Sequence, residues 1–325
     1  MTAQKVSELG EVGLVRRIIE RIGESKEGET WSGDDTAVIF PPGPRLLMTT
    51  DFVVEGVDFT LDTFPPDAIG WKAFAVNVSD IAAMGGIPEH SLVSMALRPD
   101  MEVATVDAIL EGMLAAAEKW GVSLVGGDLS QADEIMVSIA LLGSLVVEGA
   151  VLRSGAKVGD AICVTGSLGG AAAGLEELRA GAKGEPTDAM RRQMYPEPRL
   201  QAGQVIAEAG ATAMIDLSDG LAVDLSHLVH ASSIGCQIDP DALPLHEALA
   251  AKPREQALDM AITGGEDFEL LFTIRERDIR EVRESLGDEG PAITQIGVVT
   301  DGAEMIGDKP LKEWEKHGWD HLRTH

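Results

Sequence analysis

The spacing of apolar residues along the chain predicts both helices and strands. A helix near the start is indicated by apolar residues at helical spacing, namely Leu14, Ile18, Ile19 and Ile22. The segments TAVIF and RLLMTTDFVVEG flank a PPGP turn, which predicts two strands. A further helix is predicted from about Pro66, a residue suited to the first helical turn, to the glycines after Met84.

The pattern continues with a strand in HSLVSMAL, a helix from Glu102 to about Trp120, and strands in VSLVGG and EIMVSIALLGSLVV. The Gly-rich segment VVEGAVLRSGAKVGD predicts a domain boundary near residue 150. Beyond it we predict strands in AICVTG, ATAMID, FELLFTI and PAITQIGVV, and helices after Gly170, in AVDLSHLVHASS and between the last two strands. This order is typical of an α+β fold, in which neighbouring strands can pair antiparallel.

The charge of the chain limits its partners. With 26 Lys and Arg against 54 Asp and Glu in 325 residues, the formal net charge is -28. Such a chain repels nucleic-acid backbones and anionic membranes, so we expect it to bind neither. A phosphate ligand must therefore arrive with a metal ion or meet a local cluster of donors.

Two further features bear on location. The first residues lack the apolar core of a signal peptide, and no run approaches the roughly 18 apolar residues of a membrane span. Cys163 and Cys236 lie in separate apolar segments, where each is expected to be a small strand residue, and they form neither a zinc pattern nor a disulfide framework. We expect a cytoplasmic, reducing location.

Aspartates recur at the ends of apolar runs, and these positions are Asp34, Asp35, Asp51, Asp80, Asp128, Asp216 and Asp219. A buried carboxylate must be protonated, paired or bound to metal, because an unpartnered charge in an apolar setting costs several kcal/mol or more. The partner that suits so many acids is a hard divalent cation, Mg²⁺ first. Asp80 in particular lies near the C-terminal end of a predicted apolar helix. An anion is disfavoured there by up to about 1 kcal/mol, so a positively charged partner is expected.

Several of these positions also allow a simpler interpretation. The Gly-Asp pairs in GDDTAV and VGGDLS fit plain turns as well as binding loops, and Ser218 or Asp219 fits a helix N-cap as well as an anion site. Asp216 is not explained by capping. Thr49 and Thr50 add hydroxyl ligands, but adjacent strand residues point to opposite faces, so at least one of them would contact a cation through its backbone carbonyl.

Other phosphate and hydrolase designs are excluded by the sequence. It contains no GxxxxGK[ST] P-loop, no HRD catalytic-loop signature, no HExxH zinc pattern and no GxSxG elbow.

Eight segments in register resemble the thiamine-monophosphate kinase family: GDDTAV, TTDFVVEGVDF, KAFAVNVSDIAAMGGIP, VGGD, LRSGAKVGDAICVTGSLG, IDLSDGL, GGEDFELLFT and HGWDHL. This family is similar to aminoimidazole ribonucleotide synthetase and shares its ATP-binding superfamily. The resemblance implies an α+β fold in two domains. Residues 1–150 would form a metal- and ATP-binding dimerisation domain, whose mixed or antiparallel sheet makes a dimeric barrel-like interface. Residues 151–325 would form a C-terminal α/β domain that completes the active-site cleft.

The resemblance also implies roles for individual residues. Several Mg²⁺ ions would be held by Asp35, Thr49, Thr50, Asp51, Asp80, Asp128, Asp216 and Asp219. ATP would contact Gly127, Asp128, Arg153 and Ser218. The substrate would contact Asp58, Glu266 and Trp319, since an aromatic face and an acid both suit the cationic thiazolium ring. The family usually has His at the position of Asp58, so an acid there would weaken substrate binding, recruit a cation or alter specificity.

The reaction implied is ATP-dependent phosphorylation of thiamine monophosphate to thiamine diphosphate by direct in-line transfer in a homodimer, with Arg153 and the metals stabilising charge in the transition state. Two alternatives stay open at this point. One is another ATP-dependent phosphoryl-transfer enzyme of the same superfamily. The other is a non-catalytic sensor of thiamine phosphate or nucleotide.

Overall fold

The computed structural model describes residues 4–29, 31, 37–41, 43, 45–181 and 184–318. The chain divides into two compact units, one within Met1–Ile81 and Ile87–Ser144 and the other within Ala82–Gly86 and Leu145–His325. The functional roles predicted for residues 1–150 and 151–325 stay predictions.

In the part of the first unit that the structure describes, three helices combine with a four-stranded sheet. Its elements in chain order are α1 (Val6–Ile22), β1 (Leu47–Val54), α2 (Pro66–Ala83, whose last residues belong to the second unit), β2 (Gly86–Leu97), α3 (Val103–Trp120), β3 (Ser123–Gln131) and β4 (Met136–Leu145). The strand order is β1-β4-β2-β3, with β1 antiparallel to β4 and β2 parallel to β3. The sheet is therefore mixed, as predicted.

The two faces of this sheet differ in polarity because side chains alternate along each strand. Val137, Ile139 and Leu141 of β4 are buried on one face. The other face exposes large apolar side chains, including Met48 at 74% and Phe52 at 66% on β1, with Leu92 on β2 and Met136 on β4. An exposed apolar patch of this kind marks an interaction surface in many proteins.

One predicted strand of the first unit is absent from the described residues. In the segment TAVIF, residues 37–40 form no extended strand, and Val38 makes only a single-residue bridge. Val38 and Phe40 are both largely exposed, and Ala37 and Ile39 beside them are only partly buried, so little apolar burial anchors this segment in a sheet.

Among its described residues, the second unit contains seven strands and seven α-helices. The elements in chain order are β5 (Ala161–Thr165), α4 (Gly170–Arg179), α5 (Asp188–Met194), α6 (Leu200–Glu208), β6 (Ala213–Asp216), α7 (Leu221–Ser232), β7 (Gly235–Ile238), α8 (Arg254–Thr263), β8 (Leu270–Ile274), α9 (Ile279–Leu286), β9 (Ile293–Thr300), β10 (Glu304–Ile306), β11 (Lys309–Pro310) and α10 (Leu311–Glu315).

The strands of the second unit form one sheet in the order β11-β10-β7-β9-β5-β8-β6. Among these described strands β7 and β10 pair parallel, and the other neighbours pair antiparallel. The central strands β5 and β8 are buried along their whole length. Cys163 of β5 and Cys236 of β7 are buried strand residues as predicted, and burial raises the pKa of their thiols to about 12 and about 11.

Mixed helix and strand content in both halves agrees with the predicted α+β class. The C-terminal half is α/β only in the sense that helices and strands alternate, because its sheet is mainly antiparallel. Among the described residues, no helix is both long enough and apolar enough to cross a membrane.

Candidate functional site

In the first unit, three of the predicted ligand residues meet where β1 faces α2. The hydroxyl of Thr49 on β1 donates to the carboxylate of Asp80 on α2. One turn earlier on α2, the side-chain oxygen of Asn77 accepts the backbone N–H of Asp51 at 2.9 Å. Asp80 occupies the last turn of α2, as the sequence predicts, so its negative charge lies at the negative end of the helix.

The other predicted residues of this sheet lie on its opposite face. Thr49 and Asp51 pair with the buried Leu141 and Ile139 across the sheet, and Thr50 between them is exposed on the other side. Asp128 of β3 pairs with Ser94 and is also exposed. The side chain of Thr50 therefore does not lie with those of Thr49 and Asp51. Thr50 could share a metal ion with them only through its backbone carbonyl.

Gly127 has a structural reason to be glycine. It pairs with Val93 of β2, and a Cβ placed on Gly127 would lie 1.8 Å from the carbonyl oxygen of Val93. No side chain fits there without moving one of the strands, so the identity of Gly127 follows from packing as well as from the predicted nucleotide contact.

Asp58 closes the turn that follows β1. Its carboxylate accepts the backbone N–H of Val54 at 2.8 Å, and its carbonyl oxygen accepts a bond from the buried Lys72 amine at 3.1 Å. The ammonium of Lys72 also lies 5.3 Å from the centre of the Phe64 ring. The carboxylate of Asp58 therefore stabilises a local turn.

In the second unit, three acids gather at the end of β6 and the start of α7. Asp216 ends β6 and is buried, and Asp219 lies in the following loop. Asp224, in the first turn of α7, is 2% exposed and accepts the backbone N–H of Asp219 at 3.1 Å. Burial raises the pKa of Asp224 well above its usual range, and the charges of Asp216 and Asp219 raise it further, whereas Arg153 acts to lower it.

Asp224 is a member of this cluster that the sequence reasoning missed. The signal was present in AVDL, because an acid surrounded by apolar residues within a predicted helix follows the rule that identified Asp80. Capping of α7 by Ser218 or Asp219 is not observed, since Gly220 is the N-cap and no side chain completes the cap.

The loop after Asp216 is held against a second loop, residues 264–269. The backbone N–H of Glu266 donates to the carbonyl of Ser218 at 2.8 Å, and that of Phe268 donates to Leu217 at 2.9 Å. These bonds bring together the predicted nucleotide contact Ser218 and the predicted substrate contact Glu266. Both Glu266 and Phe268 have left-handed backbones, with φ of 68° and 48°. Such conformations cost about 1–2 kcal/mol for residues other than glycine and recur at functional sites.

The three acids of the GGEDFE segment have different partners. Glu266 accepts a bond from the side-chain amide of Gln193 on α5. The fully buried Glu269 accepts a bidentate pair from Arg199, with both N–O distances at 2.6 Å. Asp267 accepts the backbone N–H groups of Gly169 and Ala171 at 2.6 and 3.0 Å, and burial raises its pKa to about 6.

Three residues singled out from the sequence lie outside the described residues, namely Asp34, Asp35 and Trp319. Gly318, directly before Trp319, is described. A Cβ placed on Gly318 would lie 3.5 Å from the carbonyl oxygen of Asp219, so the chain reaches the acid cluster of the second unit at residue 318.

The donor atoms of both clusters fit magnesium in type. They are carboxylate and hydroxyl oxygens, which hard divalent cations prefer. Burial is the main reason why the pKa of Asp224 is raised, and the charges of Asp216 and Asp219, which raise it further, are what a cation would offset. Within the described part of the chain, no group of three or more His, Cys, Asp or Glu side chains is already arranged to hold a metal ion.

Two family models that describe the N-terminal and C-terminal domains of the same family together match most of the chain. Residues 33–145 match the family described as AIR synthase related protein, N-terminal domain, and residues 157–308 match AIR synthase related protein, C-terminal domain.

Among individual proteins and solved structures, the chain is similar to thiamine-monophosphate kinases. The thiamine-monophosphate kinase of Salmonella typhimurium is 36% identical over 97% of this chain and 99% of its own length. The crystal structure of thiamine-monophosphate kinase from Stenotrophomonas maltophilia superposes with a TM-score of 0.81 at 31% identity, covering 91% of this chain and 96% of that one. The structure of AaThiL complexed with AMPPCP and TMP is 33% identical, with a TM-score of 0.77 over 99% of this chain and 100% of that chain.

Proposed function

Since the chain belongs to the thiamine-monophosphate kinase family, we propose that it uses ATP to phosphorylate thiamine monophosphate to thiamine diphosphate. The observation that carries this proposal is identity above 30% over almost the full length of both chains, including a relative bound to AMPPCP and TMP. This similarity favours thiamine monophosphate phosphorylation over the reaction of another enzyme of the same superfamily and over the function of a non-catalytic sensor.

The proposed reaction is a direct transfer. An oxygen of the substrate phosphate forms a bond to the γ-phosphorus of ATP, the bond from that phosphorus to the β–γ bridging oxygen breaks, and ADP leaves with the electron pair. A phosphate monoester has a second pKa near 6, so the attacking oxygen is already largely ionised at neutral pH and needs no side-chain base. The task of the protein is to align two anions and offset their charge, for which Arg153 beside Asp224 is the proposed cationic side chain.

We propose that the two acid clusters hold Mg²⁺, through Thr49, Asp51 and Asp80 in the first unit and Asp216 and Asp219 in the second. Asp35, Thr50 and Asp128 are proposed as further ligands. When bound, magnesium supplies positive charge to the phosphate oxygens. Asp224 would support Asp219 by accepting its backbone N–H, and Gly127, Asp128 and Ser218 are the proposed nucleotide contacts.

The thiamine end of the substrate is assigned to Glu266 and Trp319. The backbone bond between Glu266 and Ser218 supports this assignment, because it places the proposed substrate and nucleotide contacts side by side. Asp58 is proposed to lie at the substrate as well, in addition to closing its turn.

We further propose that the protein is a homodimer that pairs through the first unit, residues 1–150, in a barrel-like interface. The support is the exposed apolar face around Met48 and Phe52, which a second copy would cover. Light scattering at micromolar concentration should give a dimer mass, and Phe52→Lys should shift it to the monomer.

A product assay tests the proposed function. The purified protein is incubated with ATP and Mg²⁺ together with thiamine monophosphate or, as the matched control, thiamine, and the products are separated by chromatography. We expect thiamine diphosphate only from thiamine monophosphate. No product at saturating substrate, despite tight nucleotide binding, would reject the kinase and favour the sensor.

A further inference from the structure

The loop that carries Arg153 is held by the side chain of Ser232. Ser232 is the last residue of α7, and its hydroxyl oxygen accepts the backbone N–H of Gly155 at 3.1 Å and that of Ala156 at 3.2 Å. The same hydroxyl donates to the carbonyl oxygen of Arg153 at 3.1 Å. A serine hydroxyl offers one donor and two acceptor sites, so this loop occupies all of them.

The chain on either side of Arg153 is also fixed. Before it, the carbonyl oxygen of Leu152 accepts the backbone N–H of Met214 on β6 at 3.0 Å. After it, Gly155 has a φ of 127°, and a Cβ placed there would lie 2.4 Å from the carbonyl oxygen of Thr212. Only glycine adopts this conformation at such a close approach. The loop therefore lies against the start of β6 as well as the end of α7.

The guanidinium of Arg153, by contrast, is available to a ligand. Arg153 is exposed, and within the described part of the chain its guanidinium forms neither a hydrogen bond nor an ion pair. Burial is the main cause of the raised pKa of Asp224, and the positive charge of Arg153 opposes it, so the guanidinium lies within electrostatic range of the acid cluster. Asp224 lies in the first turn of α7 and Ser232 in the last. One helix therefore fixes the backbone of Arg153 relative to these acids.

We propose that Ser232 is a positioning residue for the nucleotide, which holds the backbone of Arg153 so that the guanidinium meets the phosphate oxygens of ATP. This inference rests on the proposed function, in which Arg153 offsets the charge of those phosphates. Ser232 acts through Arg153, so removing its hydroxyl should weaken nucleotide binding only while Arg153 is present.

The test compares Ser232→Ala, which removes all three bonds, with Ser226→Ala on the same helix. Ser226 is 5% exposed and its hydroxyl donates to the carbonyl oxygen of Val223 within α7 at 2.8 Å, so this control removes a serine hydroxyl without releasing the Arg153 loop. We expect Ser232→Ala to raise the Kd for AMPPCP, measured by calorimetry with Mg²⁺, about tenfold, the loss typical of a hydrogen bond to a charged group. Ser226→Ala should leave this Kd within error, and Ser232→Thr, which keeps the hydroxyl, should restore it.

A double-mutant cycle with Arg153→Met separates positioning from a general loss of structure. In the Arg153→Met background, Ser232→Ala should change the Kd for AMPPCP by less than about twofold, because the charge that Ser232 positions is already gone. A tenfold effect that persists in that background, or an unchanged Kd for Ser232→Ala alone, would overturn the positioning role. Ser232→Cys, whose thiol is a weak donor and acceptor, should show the same loss as Ser232→Ala and serves if the Ala variant does not fold.

The outcomes separate this inference from the function on which it rests. If the wild type binds AMPPCP but forms no thiamine diphosphate from ATP, the kinase assignment fails while the Kd comparison still decides the role of Ser232. If the wild type forms product and Arg153→Met binds AMPPCP as tightly as the wild type, the inference is overturned and the proposed function stands. If the wild type does not bind AMPPCP at all, both are overturned.

Discussion

Replacing Arg199 by Met should destabilise the second unit strongly, because Arg199 is the main partner of a carboxylate that has no access to water. Glu269 is 0% exposed, and Arg199 contacts both of its oxygens at 2.6 Å. Burial acts to lower the pKa of Arg199, but the adjacent charge of Glu269 outweighs it and leaves the pKa raised. The Arg199 guanidinium therefore stays charged against the buried Glu269 side chain.

The expected cost follows from what remains after the substitution. Removing one partner of a buried ion pair costs about 3–5 kcal/mol. The hydroxyl of Thr165 at 2.6 Å and Arg192 at 3.2 Å would still hold Glu269, so we expect the lower end, about 3 kcal/mol. For a unit of this size, that corresponds to a fall of about 6–12 °C in the thermal midpoint.

Urea unfolding followed by circular dichroism at neutral pH measures this cost. Arg191→Met is the matched control, since Arg191 is 56% exposed and lies 4.0 Å from an exposed acid, and it should change the free energy of unfolding by less than about 0.5 kcal/mol. Adding Glu269→Gln to Arg199→Met should recover part of the loss, because no buried charge is then left alone. A cost below about 1 kcal/mol for Arg199→Met, or no relief in the double variant, would refute the reasoning.

Three further substitutions test the site and its surroundings. Asp80→Asn keeps the size of the side chain and should lower kcat about 100-fold in a magnesium titration, whereas the exposed Asp100→Asn should not; near-normal activity would contradict the assigned role. Asp58→His should tighten the binding of thiamine monophosphate in calorimetry and cost about 1 kcal/mol of stability through the lost turn bond, and unchanged affinity would make the departure from the family neutral. Asp267 has its pKa raised from 3.8 to about 6, so between these values the folded state holds a proton that the unfolded state has lost, and stability should fall by about 2 kcal/mol as pH rises from 4 to 7. Asp267→Asn removes this contribution, so the free energy of unfolding in urea should rise for the variant relative to the wild type as pH rises from 4 to 7. A difference between the two that does not change with pH would exclude Asp267 as the source of the effect.

Local patterns in the sequence predicted most of the elements and the place of Asp80. The apolar residues from Pro66 onward and the glycines after Met84 define a helix, and the structure has α2 at Pro66–Ala83. Asp216 was predicted at the end of a strand, and β6 ends there. These features depend on neighbours in the chain, which the sequence displays directly.

Features that depend on distant contacts could not be predicted in this way. The bond between Gln193 and Glu266 joins residues 73 positions apart, and nothing in RRQMYPEPR distinguishes Gln193 from a surface amide. The same holds for the helix cap at Gly220, because the loop that contains Ser218 and Asp219 is shaped by its bonds to residues 266–269. The opposite faces of Thr49 and Thr50, by contrast, follow from strand alternation alone.

The fate of the γ-phosphoryl group tests the central claim most directly. The protein is mixed with thiamine monophosphate, Mg²⁺ and ATP labelled in its γ-phosphate, and the label is followed through thiamine diphosphate, inorganic phosphate and the protein itself. We predict label in thiamine diphosphate in equal amount to the ADP formed, with none bound to protein. Release of the label as inorganic phosphate without thiamine diphosphate, or its retention on a side chain, would contradict direct transfer to the substrate.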